Sequence, residues 1–404
     1  MTLRRVCMLV RNDCRTDYRV LKEAGSLARA GYAVTVIAIN PYGPEEHETY
    51  DGFTIVRVPV EHHPRKIVRG VNLIPRALWR MAETARKVHA DVYHAHDSDT
   101  VVAAWWAARQ VSGARLVYDA HEVGFTSLRA SLSFFGPWIG LANWLWVRFN
   151  DFIIPRSFDA VIAVNDVLAD LQAAHYGIVR PVVVMNCPLR QPIAPATSEA
   201  LASRIGVSSD TPIVLTHGMF SISRGDGAGL ENLVRSAALL HRGVVVLVGN
   251  VGSGYEFEPL RSMANSPELT GRVFFLPLMP PTELMRLTTC ATLGIITLQL
   301  PPPFHLAAPN KFFEFLGAGL PVVTSDLPVV QRICEEYQCG IVCDPGSSIG
   351  IAAAINVLLD NPTLYNSLQQ GARCAAAVYN WENQEQVLID LYRSLGSEGR
   401  ADVQ

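Results

Sequence analysis

The chain has 404 residues, of which 49% are hydrophobic and 18% charged, and its formal net charge is −3. This length predicts two or three domains with buried cores, and the near-neutral charge excludes a general electrostatic attraction to nucleic acid. The eight cysteines lack the spacing of a zinc site, which favours reduced thiols. Val6–Val10 is too short for the core of a signal peptide, and no apolar run reaches the ~18 residues of a spanning helix. We therefore expect a cytoplasmic protein, or one held peripherally at the inner face of the cell membrane.

The first half of the chain alternates apolar runs with helical segments. A helix is predicted over Tyr18–Arg29, ended by Gly31. The predicted strands are Val6–Val10, Val34–Ile39, Val92–His94, Arg115–Tyr118, Ala160–Val164 and Val182–Met185. These runs are apolar without clean alternation, which is typical of strands covered on both faces. The pattern predicts a doubly wound parallel sheet.

A second series of strands and helices follows a break. Pro188–Ser203 is rich in proline, alanine and serine and predicts a linker. The later predicted strands are Ile213–Thr216, Val244–Val248, Val273–Leu276, Leu293–Thr297, Leu320–Thr324 and Gly340–Cys343. We therefore predict an α/β protein with two Rossmann-like, doubly wound domains, over residues 1–190 and 191–379. Residues 380–404 carry a final predicted helix, Gln384–Leu395.

Ligands of open parallel sheets bind beyond the carboxyl ends of the strands. In the first half that rule selects Asn12 with Asp13, His96 with Asp97, and His121 with Glu122. In the second half it selects residues 217–224, 249–254 and 299–311. The glycine-rich run at 249–254 does not fit the dinucleotide fingerprint, so NAD binding is not predicted.

The segment from Pro309 to Val323 is the most specific of these candidates. Pro309 suits the approach to a helix, Gly319 suits its end, and Lys311 and Glu314 are three residues apart on one face. A helix N-terminus with Asn310 and Lys311 is suited to a diphosphate, and a carboxylate one turn later can accept hydrogen bonds from sugar hydroxyls. The segment therefore predicts a nucleotide-sugar site.

The same segment resembles the P-x-K-x-x-E-x-x-A-x-G-x-P-V-V pattern of family 4 retaining glycosyltransferases, and segments over nearly the whole chain agree with that family. The resemblance implies a GT-B arrangement, in which two Rossmann-like domains face a central cleft and the last helix crosses back to the first, acceptor-side domain. It implies metal-independent transfer with retention, from a nucleoside diphosphate sugar, UDP-linked, to a glycan or lipid-linked acceptor. It implies no cofactor and no nucleic acid partner.

The resemblance also assigns roles to single residues. His121 is expected to lie against the donor sugar. Arg224 and Lys311 are expected to take up the charge of the diphosphate, and Gly218 to allow its close approach. Glu314 is expected to hold the ribose.

The first domain is expected to supply the acceptor side through Asp13, His96 and Asp97. The segment from His94 to Asp99 also comes close to the His-x-His-x-Asp-His motif of metal-dependent hydrolases, but it lacks the last histidine. We therefore predict no metal site, with a metal hydrolase as a rival.

Two segments combine basic and aromatic residues, at 63–87 and 133–154. They fit helices on an anionic membrane surface and equally fit ordinary helices that cover a sheet.

One position departs from the family. Relatives usually carry a second glutamate eight residues before Glu314, where this chain has Leu306. The departure leaves the donor and the retaining mechanism open. It keeps two alternatives in view: a nucleotide-sugar epimerase of the same architecture, using His121, Glu122 and Asp97, and a non-catalytic nucleotide-sugar-binding protein.

Overall fold

The chain divides into two compact units in a computed structural model. The first comprises Met1–Met185 with Gln384–Gln404, and the second comprises Asn186–Asn383. The structure describes residues 4–41, 43–59, 74–121, 137–190, 199–220, 225–251, 257–300, 304–306 and 308–397. The last helix, Trp381–Ser397, begins in the second unit and continues in the first.

The first unit is built on an eight-stranded sheet of order β3-β4-β2-β1-β5-β6-β7-β8. Its strands are β1 Arg5–Leu9, β2 Ala33–Asn40, β3 Glu46–Tyr50, β4 Phe53–Pro59, β5 Val92–His96, β6 Arg115–Ala120, β7 Ala160–Ala163 and β8 Val182–Val183. Its helices, besides the last, are Tyr18–Arg29, Ile74–Val88, Val101–Ala108, Pro137–Ser157 and Asp166–Tyr176. All described pairs are parallel except β3 with β4.

The β3–β4 hairpin corrects the prediction of a purely parallel sheet. Its antiparallel strands are joined by Asp51 and Gly52, both with positive φ. An Asp-Gly pair at positive φ is favoured in a two-residue hairpin turn because its twist matches that of the strands. Neither strand of the hairpin was predicted. β3 is polar and lies at the sheet edge, so it lacks an apolar run, and the run of β4 is interrupted by Arg57.

Local interactions set the two ends of helix Tyr18–Arg29, which carries the buried charged residues Arg19 and Glu23. The Asp17 side chain accepts a hydrogen bond from the Val20 N–H and so caps the start of Tyr18–Arg29. Gly31 follows the end of the helix with φ +96°. The helix turns Val20, Ala24 and Leu27 toward the core, where all three are fully buried. The predicted bounds of this helix are confirmed.

The second unit is built on six parallel strands of order β11-β10-β9-β12-β13-β14. They are β9 Ile213–Phe220, β10 Val244–Val251, β11 Val273–Pro277, β12 Leu293–Ile296, β13 Val322–Thr324 and β14 Gly340–Val342. The helices are Glu199–Ile205, Gly227–Ser236, Glu258–Ala264, Pro281–Thr288, Asn310–Gly317, Pro328–Tyr337, Ser348–Asp360 and Pro362–Val378, with short 3₁₀ turns at Ala237–Leu239 and Phe304–Leu306. Two Rossmann-like α/β units were predicted, and this fold class is confirmed.

The linker prediction was wrong at its C-terminal end. Helix Glu199–Ile205 starts inside the predicted linker, and Leu201 and Ala202 on it are buried. A helix of seven residues shows too few apolar positions to be recognised by periodicity.

Among the described helices, none is both long and apolar enough to cross a membrane.

Candidate active site

In the second unit, helix Asn310–Gly317 carries the predicted nucleotide-sugar residues. Pro309 caps its start, and Gly319 follows its end with φ +71°, as predicted. Phe312, Phe313, Phe315 and Leu316 are buried. The core-facing side of the helix is therefore apolar, and Asn310, Lys311 and Glu314 lie on the partly exposed side.

The structure brings Lys311 next to Gly218. A Cβ atom at Gly218 would lie 3.8 Å from Cε and Nζ of Lys311, and the glycine has φ +137°, which favours glycine. Lys311 Nζ lies 4.0 Å from Oδ1 of the buried Asp226 and 5.2 Å from the ring centroid of Phe220. These neighbours hold the ammonium group beside the backbone of Gly218, which has no side chain, near the carboxyl end of β9. Asn310 is fixed as well, because Asn186 Nδ2 donates to its Oδ1 at 3.1 Å.

His217 and Glu314 form the adjoining part of this region. His217 Nε2 is 3.6 Å from Glu314 Oε2, too long for a good hydrogen bond. Burial, and secondly the Lys311 charge, lower the pKa of His217 to about 3. His217 is therefore neutral at pH 7, and Lys311 supplies the local positive charge. The sequence had marked His217 only as a strand-end residue, and Asp226 was not singled out.

Arg224 lies outside the described residues. Its diphosphate-binding role stays a prediction.

In the first unit, the ends of β5 and β6 carry a buried polar cluster. Predicted site residues His96, Asp97 and His121 belong to it, and the structure brings them together. It also contains Arg19, Glu23, Asp119 and Tyr392, which the sequence analysis did not place in a site, and His94, which it considered only for the rival metal hydrolase. Asp13 lies in the first loop, where its carboxylate accepts from the Arg15 N–H, and none of its described contacts reaches the cluster.

Asp119 is the centre of this cluster. Arg19 donates to both of its carboxylate oxygens, from Nε at 2.9 Å and from Nη2 at 2.8 Å. His121 Nε2 lies 2.9 Å from Oδ2, and His96 Nδ1 lies 3.3 Å from the same oxygen. Burial alone would raise the pKa of Asp119, but Arg19 and His121 outweigh it and hold that pKa well below its ordinary value. Asp119 is therefore ionised at neutral pH.

Asp97 closes the exposed side of the cluster. Its Oδ1 accepts from the His121 backbone N–H at 3.2 Å, and its Oδ2 lies 3.3 Å from the His121 ring Nδ1. Its side chain is 44% exposed, whereas that of His121 is 18% exposed. Asp97 is therefore the carboxylate of the cluster that faces solvent.

His94 and Glu23 lie on the buried side. His94 stacks on His96 with ring centroids 4.3 Å apart, and its Nδ1 is 2.8 Å from the Tyr392 hydroxyl. Burial and the neighbouring His96 lower the pKa of His94 well below its ordinary value. Burial, and secondly Asp119, raise the pKa of Glu23 to about 7. The buried side thus holds a neutral imidazole and a carboxyl group that titrates near neutrality.

Four of these side chains, Glu23, His94, His96 and Asp119, offer metal-ligand atoms within 4.8 Å of one another. The Arg19 guanidinium is 3.0 Å from Glu23 and 2.8 Å from Asp119. Both carboxylates therefore already have a cationic partner from the protein itself. The donor set fits a buried ion-pair network better than a metal centre.

Two family models match the chain in the order of its two units. The first, described as a glycosyl transferase 4-like domain, matches residues 17–188. The second, described as glycosyl transferases group 1, matches residues 206–374. Together with two parallel α/β units, these matches define the protein as a glycosyltransferase of the GT-B fold class. It belongs to the family 4-like glycosyltransferases.

Individual relatives agree with that assignment. A D-inositol 3-phosphate glycosyltransferase of Acidothermus cellulolyticus is 28% identical over 216 residues, so the match spans 51% of this chain and about half, 46%, of that protein. D-inositol 3-phosphate glycosyltransferase 1 of Catenulispora acidiphila is 26% identical over 94% of this chain and 91% of its own length. The solved structure of Anabaena HepE in complex with UDP-glucose has a TM-score of 0.72 and 16% identity, covering 96% of this chain and 99% of that one. This last likeness shows the fold.

Proposed function

We propose that the protein transfers a sugar from a nucleoside diphosphate sugar, UDP-linked, to a hydroxyl of a glycan or lipid-linked acceptor, with retention of configuration. The observation that carries this proposal is the Lys311 ammonium group at the start of helix Asn310–Gly317, against the bare backbone of Gly218. A helix start, a cation and an approachable backbone together suit a diphosphate. UDP is the favoured nucleotide because Anabaena HepE, which shares the fold, binds UDP-glucose. The reaction needs neither a metal nor another cofactor.

Each residue then has a role in the transfer. Lys311, together with Arg224, offsets the charge that develops on the leaving diphosphate. Glu314, one turn further along the same helix, accepts hydrogen bonds from the ribose hydroxyls, and Asn310 lines the nucleotide. His121 lies against the donor sugar.

The acceptor side is formed by Asp13, His96 and Asp97. His96 is fully buried, whereas Asp97 is half-exposed. Asp97 therefore meets the acceptor, and His96 supports it from behind.

Contact with a membrane surface is part of this proposal. Of the two predicted segments, residues 74–87 and 137–154 lie in described parts of the chain. Helix Pro137–Ser157 exposes Leu145, Phe149 and Phe152 at helical spacing, and the Arg156 guanidinium lies 4.1 Å from the centre of the Phe152 ring. An apolar stripe beside arginine suits an anionic lipid surface, where a lipid-linked acceptor would be found.

The test is a panel of UDP-, GDP- and ADP-sugars, in which binding and slow hydrolysis are measured for the wild type and Lys311→Ala. Loss of a charge-assisted contact to the diphosphate costs about 1.5–3 kcal/mol, or roughly 10- to 150-fold in affinity. The matched control is Lys87→Ala, which removes an exposed lysine of the first unit and leaves donor affinity unchanged.

Each outcome of the panel has a distinct meaning. Selective binding of one donor that collapses in Lys311→Ala, and not in the control, supports the transferase and identifies its donor. Sugar isomerisation without any acceptor would instead support an epimerase. Tight binding with no turnover on any acceptor would support a binding protein. Absence of binding across the panel refutes the proposal.

A further inference from the structure

We propose that Asp97 and Asp119 are positioning residues that clamp His121 between two carboxylates, so that His121 serves transfer as a fixed cation and not as a proton acceptor. The inference rests on the proposed function for its role in transfer, and on the described contacts of the first unit for its geometry. It gives Asp119 a function and assigns the chemical state of His121.

The first argument is that each of the two ring nitrogens of His121 has a carboxylate partner. Nε2 is 2.9 Å from Asp119 Oδ2, and Nδ1 is 3.3 Å from Asp97 Oδ2. An ionised carboxylate only accepts hydrogen bonds, so each contact needs a proton on the ring nitrogen. Both bonds form together only when the imidazole carries both protons. In that state, no ring lone pair remains to remove a proton from a sugar hydroxyl.

The second argument is the backbone at Asp97. This residue has φ +61°, a left-handed conformation that only Gly, Asn and Asp adopt readily. The Asp97 N–H donates to the Asp119 carbonyl at 2.9 Å, which ties the strained turn to the neighbouring strand. The turn aims one carboxylate at both the backbone N–H and the ring of His121. A strained residue that is fixed in this way is a functional candidate.

The third argument is the balance of charges around the ring. Among the described residues, the charged and titratable groups of this cluster are Arg19 and Glu23 on helix Tyr18–Arg29, His94 and His96 on β5, Asp97 after β5, Asp119 on β6, and Tyr392 on the last helix. Burial alone would lower the pKa of His121, but Asp119 and then Asp97 outweigh it and raise that pKa well above its ordinary value. The buried His94 behind it shifts in the opposite direction. The clamp thus makes His121, after β6, a cation, while His94 on the neighbouring strand β5 stays neutral.

The experiment is an NMR titration of the unliganded protein with ¹⁵N- and ¹³C-labelled histidine. The chain has 11 histidines, and the ring signals of one are assigned by their loss in His121→Asn. We expect the wild-type His121 signals to remain those of a doubly protonated ring well above the pH at which a histidine ordinarily titrates. In Asp97→Asn, which keeps the turn and the acceptor for the backbone N–H, the midpoint falls by at least about one pH unit.

A matched control removes a carboxylate beside another histidine. Asp360 Oδ2 lies 2.6 Å from His241 Nδ1 at the surface of the second unit. Asp360→Asn should leave the His121 signals unchanged. A wild-type His121 that titrates near its ordinary value would overturn the proposal without any variant, and so would an unmoved midpoint in a folded Asp97→Asn.

Kinetics supply the functional half of the test. The wild-type kcat/KM should show no titration of His121 between about pH 6 and pH 8, while that of Asp97→Asn should fall as pH rises through the new midpoint. Because the NMR titration needs no donor, it decides the clamp even if the protein transfers no sugar. Transfer by a protein whose His121 is neutral would reject the clamp and leave the proposed function intact.

Discussion

Glu23 is a carboxyl group that the fold buries completely in the first unit, and its replacement gives a sharp test of the buried network. It lies on helix Tyr18–Arg29, with Oε1 3.0 Å from Arg19 Nε and Oε2 4.0 Å from His94 Nε2. Burial, and secondly Asp119, raise its pKa from 4.5 to about 7. Glu23→Gln keeps the shape of the protonated side chain and removes its ionisation.

The raised pKa of Glu23 sets the size and the sign of its effect on the free energy of unfolding. Since the folded Glu23 holds its proton more tightly than the unfolded one, its contribution to stability is complete below pH 4.5 and declines as pH rises to about 7. The displacement corresponds to about 3 kcal/mol. The difference in the free energy of unfolding between Glu23→Gln and the wild type should therefore change by about 3 kcal/mol in favour of the variant as the pH is raised from 4.5 to about 8.

Tryptophan fluorescence in urea can follow the unfolding of the first unit. Six of the seven tryptophans belong to that unit, and Trp381 is the seventh. The control is Glu45→Gln, which removes an exposed carboxylate in the same unit and should leave a curve parallel to that of the wild type. If the difference between Glu23→Gln and the wild type stays constant across this pH range, Glu23 is not a raised-pKa carboxyl group and our account of the network fails.

Two further predictions concern packing and the surface. Gly229→Ala should lower the free energy of unfolding of the second unit by about 1–3 kcal/mol, because the new methyl group would overlap the Thr297 carbonyl oxygen. The control is Gly227→Ala on the same helix, where the new methyl group meets open space, so the free energy of unfolding should be unchanged or rise by up to ~1 kcal/mol. Urea titration with peptide-resolved labelling of the buried cysteines measures both variants. Equal effects of the two substitutions would contradict the packing argument. Phe149→Ser should weaken binding to anionic vesicles in a flotation assay by about tenfold. The control Ile349→Ser changes an exposed apolar residue of the second unit and should leave vesicle binding unchanged. If the wild-type protein does not bind the vesicles, the proposed membrane contact is refuted.

The fold was largely predictable because parallel strands buried on both faces produce apolar runs. Each predicted strand overlaps an observed one, with errors at the ends, as with β9, which continues to Phe220. β3 was missed because it is polar and lies at the edge, where burial imposes no apolar pattern. β4 was also missed, because its apolar run is interrupted by Arg57, whose buried charge is paired with Glu46 and Glu48 of β3. The Asp51-Gly52 pair was the sequence feature that would have revealed the hairpin.

The candidate site was predictable only where its chemistry is local. Lys311 and Glu314 share one helix turn, so their spacing alone places them on one face. Arg19 and Asp119 are 100 residues apart and meet through the packing of a helix on a sheet, which no local spacing encodes. The available sign was indirect: Arg19 and Glu23 sit four apart on the buried side of an amphipathic helix, where unpaired charges are rare.

Each unit carries a histidine on or directly after a strand of its sheet, and the pKa values of the two are shifted in opposite directions, so that His217 is neutral and His121 is a cation. His217 lies beside the Lys311 ammonium group, and burial with that cation lowers its pKa to about 3. His121 lies between two carboxylates that raise its pKa well above the ordinary value. Neither histidine should change charge between about pH 5 and pH 8, although histidine usually titrates there. Glu23, with a pKa of about 7, does change charge in that range. We therefore predict that the ionisation of Glu23 contributes to the pH dependence of activity near neutrality. That contribution should disappear in Glu23→Gln, while the donor affinity set by Lys311 is retained.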